Sequence, residues 1–100
     1  MKLNIKQIVK NYKGEPIEVK SGDKVIASTL GELLEYALAN VTTGTPEERY
    51  KRGKLCAMLT KKDSDYAIED IAIIKSAVGE RFFPIAVYTI HNILDNLKAD

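Results

Sequence analysis

The chain has 100 residues, 45% of them hydrophobic and 29% charged, with a formal net charge of +1. This length suits one domain and is too short for two independent cores, and the ordinary globular composition makes disorder not the default reading. The near-neutral balance supplies no global field toward nucleic acid or anionic membrane, although a local basic patch remains open.

Cys56 is the single cysteine and His91 the single histidine. An internal disulfide is excluded, and a zinc site lacks its ligand set, so no metal and no cofactor are expected. One cysteine suits a reducing compartment. The first residues lack the apolar run of a signal peptide, and no stretch approaches the ~20 apolar residues that span a bilayer. The expected location is the cytoplasm, with no membrane partner.

In chain order, the first third predicts strands. Leu3, Ile5, Gln7 and Val9 share one parity, with Ile8 blurring the alternation. Ile17 and Val19 alternate with Glu18 and Lys20. Lys13-Gly14-Glu15-Pro16 is a turn signal between them, Ser21-Gly22-Asp23 a second, and Val25-Ile26-Ala27 a short further strand. A hairpin or three-stranded antiparallel meander is expected over residues 1–27.

Helices are expected over residues 29–98. Thr29 and Glu32 fit a capping box, followed by the stripe Leu30, Leu33, Leu34, Ala37, Leu38 and Val41. Thr45-Pro46-Glu47-Glu48 opens a second helix running to about Lys61 and burying Leu55, Met58 and Leu59. Gly53 costs it roughly 1 kcal/mol relative to alanine. The third runs from about Ala67 to Val78, with Ala67, Ile71, Ile74 and Val78 inward and Gly79 as its stop. Pro84 opens the fourth, whose stripe is Phe83, Val87, Ile90, Leu94 and Leu97. The loops at Thr42–Thr45 and Lys61–Asp65 are of ordinary length. The expected fold is a single α+β domain: a small sheet, then about four helices.

Candidate chemistry is sparse. Cys56 and His91 could form a nucleophile–base pair, but Cys56 adjoins Leu55, Met58 and Leu59, where a buried thiol is expected. The glycines are scattered, and no phosphate-binding loop results. Thr42-Thr43-Gly44-Thr45 before a helix could hold an anion, with a capped loop as the plainer reading. Asp63, Asp65, Glu69 and Asp70 lack a calcium-loop spacing, and Asp65, Glu69 and Asp70 instead favour the start of the third helix. No catalytic residue is assigned, and an enzyme is the least favoured class.

Two surfaces stand out. Arg49, Lys51, Arg52 and Lys54 form a basic run that could contact nucleic acid. Glu47 and Glu48, each four residues before a cation, make a solvated, ion-paired face the better reading. On the fourth helix, about 100° per residue places Ile85 and Tyr88 opposite the inward stripe, and Ile73 falls on the reverse side of the third. Ile73, Ile85 and Tyr88 are therefore candidates for a protein interface or a self-association surface.

The segment Glu69-Asp70-Ile71-Ala72-Ile73-Ile74-Lys75-Ser76-Ala77-Val78-Gly79 resembles a stretch that recurs in small uncharacterised proteins of tailed phages and prophages. Pro84, the helix ending near Ile93-Leu94-Asp95, the Leu30–Leu38 helix and Tyr50-Lys51-Arg52 fit the same pattern. Ala67-Ile68 departs from it, where a small polar cap is expected. The resemblance implies a phage origin and carries no reaction, cofactor or site. Small phage proteins commonly act by binding, which implies a non-enzymatic protein that modulates a host or phage protein, such as a defence component. The alternatives are a nucleic-acid-associated protein, a structural or assembly component, and a small-nucleotide trap.

Overall fold

The structure, a computed structural model, describes residues 1–63 and 65–97. Ser64, inside the expected Lys61–Asp65 loop, and Lys98, the end of the expected helical part, lie outside the described residues. The chain is α+β: strands β1 (Val19–Ser21) and β2 (Lys24–Ala27), then helices α1 (Leu30–Asn40), α2 (Pro46–Thr60), α3 (Ile68–Arg81) and α4 (Pro84–Asp95).

β1 and β2 form one antiparallel hairpin across Gly22-Asp23. Gly22 has φ +62, as a tight primed turn requires at its first central position. Val19 faces Ala27 and Lys20 faces Val25, which leaves Ile26 as the extra residue of a bulge.

The expected strand over Leu3–Val9 does not form. The N-terminal segment makes isolated bridges instead, Lys2 with Asp65, Ile8 with Thr29 and Lys10 with Pro16. Its backbone is used elsewhere: the Leu30 and Gly31 N–H groups donate to the Gln7 and Ile5 carbonyls at 2.8 and 2.9 Å. The N-terminal segment thus satisfies the first free donors of α1, which a helix cannot pair within itself. The Thr29 hydroxyl accepts from the Glu32 N–H at 3.2 Å, and the Glu32 carboxylate accepts from the Thr29 N–H at 3.2 Å. The expected capping box is present, and every early N–H of α1 has a partner.

This docking requires a glycine. A Cβ on Gly31 would stand 2.9 Å from the Ile5 Cβ and 3.1 Å from the Ile5 carbonyl oxygen. α1 lies at the centre, packed against α2, α3 and β2, while α4 packs on α3. Its stripe Leu30, Leu33, Leu34, Ala37 and Leu38 is buried. Leu3, Val9, Leu55, Leu59, Ile71, Ile74, Val78, Ile90 and Leu94 complete one core around it.

Several boundaries differ from expectation. α3 does not stop at Gly79 but continues to Arg81, because glycine only weakens a helix interior. It ends where Phe82 and Phe83 turn extended ahead of Pro84, since a proline disfavours helical backbone in the residue before it. Phe83 is therefore the N-cap of α4 and exposed, not part of the inward stripe. Ala86 takes a buried place with Ile90 and Leu94 instead. Ala67 is likewise an exposed N-cap rather than an inward residue. It has no side-chain oxygen to offer, and only its N–H is held, by Asp70 at 3.3 Å.

α2 ends in a Schellman motif. The Lys62 N–H donates to the Leu59 carbonyl and the Asp63 N–H to the Met58 carbonyl, both at 3.0 Å. Lys62 takes the left-handed conformation there, with φ +63. Beyond it, Tyr66 is buried, donates its backbone N–H to the Met1 carbonyl at 2.8 Å and donates its hydroxyl to the Asp63 carbonyl at 2.7 Å.

Gly31→Ala tests the docking of the N-terminal segment. The added methyl gains about 1 kcal/mol of helix propensity but must displace backbone, at a cost of about 1–3 kcal/mol. The expected net outcome in urea unfolding is a destabilised protein. Burial, then the carboxylates of Asp63 and Asp70, push the Tyr66 phenol from 10.0 up to about 12. Between these values the unfolded chain releases the proton while the folded chain keeps it, so stability falls as pH rises through that window. Tyr66→Phe is expected to cost about 0.5–1.5 kcal/mol at neutral pH. Its deficit against wild type should narrow as pH passes from about 10 toward about 12.

Candidate interaction surfaces

α4 is an edge helix. Its Ala86, Ile90 and Leu94 face is buried, His91 Nε2 donates to the Lys75 carbonyl at 2.8 Å, and Lys75 pairs with Asp95. These contacts fix one side of α4 to α3 and turn the opposite side outward. There Ile85 is 45% and Tyr88 66% exposed, and Phe83 at the helix start is 83% exposed. Two of the residues singled out in the sequence are thus exposed on α4, and Phe83 ahead of it is exposed as well. Its place was not legible from spacing alone, because a residue ahead of Pro84 leaves the helical periodicity.

Ile73 is not part of this surface. It is half-buried and packed against the core, and it lines a cleft of about 150 Å³ with Lys51, Arg52 and Ser76. That cleft lies between α2 and α3, whereas α4 meets α3 through Lys75. The structure thus places Ile73 in a cleft that Ile85 and Tyr88 do not line.

The basic run divides. Arg49, Lys51 and Lys54 are exposed, with Tyr50 exposed among them, and Lys51 pairs with Glu47 at 3.4 Å. Arg52, by contrast, is only 9% exposed. Its guanidinium turns inward and donates to the Thr43 carbonyl, with the Nε atom buried and unpartnered. The expected solvated Arg52 is thus a structural residue that ties α2 to the loop after α1. The four-residue spacing to Glu48 marked it as a surface ion pair, and nothing local signalled the loop carbonyl.

In that loop the Glu48 carboxylate itself lies over the helix start. Gly44 has φ +98, and a Cβ there would come 2.7 Å from Glu48 Oε2 and 3.5 Å from Arg52 Nη2. The Glu48 side chain folds back over the helix start. Thr45 caps it conventionally, accepting from the Glu48 N–H at 3.2 Å.

Cys56 and His91 are engaged on different helices. The Cys56 thiol lies 3.7 Å from the Glu35 carbonyl, which accepts from it. Burial, then the Glu35 charge, raise its pKa, so the sulfur is a thiol and not a nucleophilic thiolate. Among the described residues no cluster of three or more His, Cys, Asp or Glu side chains is placed to hold a metal ion. No helix there is long and apolar enough to cross a membrane.

A cleft of about 340 Å³ runs between the N-terminal segment and α1 past Lys6, Glu32, Glu35 and Lys62. Its charges are balanced, and one is committed. Backbone hydrogen bonds from Thr29 and Ser28 hold the Glu32 carboxyl below the usual carboxylate range.

The two kinds of cation are separable by mutation. Arg52→Ala should cost about 1.5–3 kcal/mol in denaturant unfolding, the range for a hydrogen bond to a charged group. Arg49→Ala and Lys54→Ala should stay within about 0.5 kcal/mol of wild type. Comparison of the chain with family models, curated proteins and solved structures finds no significant match.

Proposed function

We propose that this chain is a non-enzymatic, phage-encoded, cytoplasmic binding protein that modulates a host or phage protein through the outer face of α4. The observation that carries the reading is the exposure of Phe83, Ile85 and Tyr88 within six residues of an edge helix. Single exposed apolar residues are ordinary, but neighbouring ones that include two aromatics form the kind of surface that buries well against a partner. Aromatic side chains supply large contact area at small conformational cost and are enriched at binding hot spots.

A second reading, nucleic-acid association through α2, keeps Arg49, Lys51 and Lys54 with Tyr50 exposed between them. It loses Arg52 to the Thr43 carbonyl and part of the Lys51 charge to Glu47.

The test is capture from bacterial lysate by the immobilised wild type and by Ile85→Glu/Tyr88→Glu, each with and without nuclease. The expected outcome is a protein retained after nuclease and lost in the double variant, whose circular dichroism is unchanged. Equal capture by both forms removes the α4 face from the proposal. Recovery that collapses with nuclease and falls steeply with salt transfers the function to the α2 cations.

A further inference from the structure

No further inference is drawn: the strongest candidate, the cleft of about 150 Å³ between α2 and α3 beside the buried, unpartnered Arg52 Nε, is lined by the Glu48 carboxylate as well as by Lys51, itself paired with Glu47, so nothing in the structure shows what ligand would occupy it.

Discussion

The docking of residues 3–9 across the start of α1 governs the arrangement of the rest. Helix starts carry donors that no residue of the helix can accept from, and a central helix must find those acceptors without water. Here they come from the Ile5 and Gln7 carbonyls and from the Thr29–Glu32 box. Because Gly31 lacks a side chain, Ile5 can approach α1 closely enough for its carbonyl to reach the helix. With its donors satisfied, α1 can sit at the middle, offering its buried stripe to α2 and α3 while β2 lies beside its start. A segment that reads as a strand is thereby spent on capping a helix. Its apolar residues Leu3 and Val9 still reach the core.

The helices were legible because their signals are local. Thr29 with Glu32, Thr45 with Pro46, and Pro84 each act within one turn, and the structure places a helix start at each. The hairpin turn at Gly22 was legible for the same reason. What was not legible depends on partners distant in sequence. The alternation of Leu3, Ile5 and Val9 suits a strand and a strap equally, and only α1 decides between them. Gly79 carries an ordinary stop signal, yet Arg81 two residues later is held by Tyr36 of α1, and the helix persists to meet it. Arg52 sits in a charge pattern that reads as solvated, while its actual partner is a carbonyl nine residues earlier in a loop. Of the candidate surface, Ile85 and Tyr88 followed from helical phase, whereas Ile73 required knowing on which side of α3 each neighbour packs.

The exposed α4 face and the short sheet have different physical origins. The α4 face is exposed because α4 is the last helix and has a neighbour on one side only. The sheet stops at two strands because the chain that could have formed a third was diverted to α1. The same diversion therefore fixes the centre of the molecule and leaves its sheet incomplete.

The two ends of the strap close loops of very different size. Its middle meets α1 through Ile5–Gly31 and Gln7–Leu30 bonds, whereas the end beside Leu3 is anchored by backbone bonds between Met1 and Tyr66, a residue 65 positions later. Contacts of such separation pay more loop-closure entropy before they return any burial. The Met1–Tyr66 end of the strap thus carries the larger closure cost, and the burial of Leu3 and Tyr66 beside it is what offsets that cost.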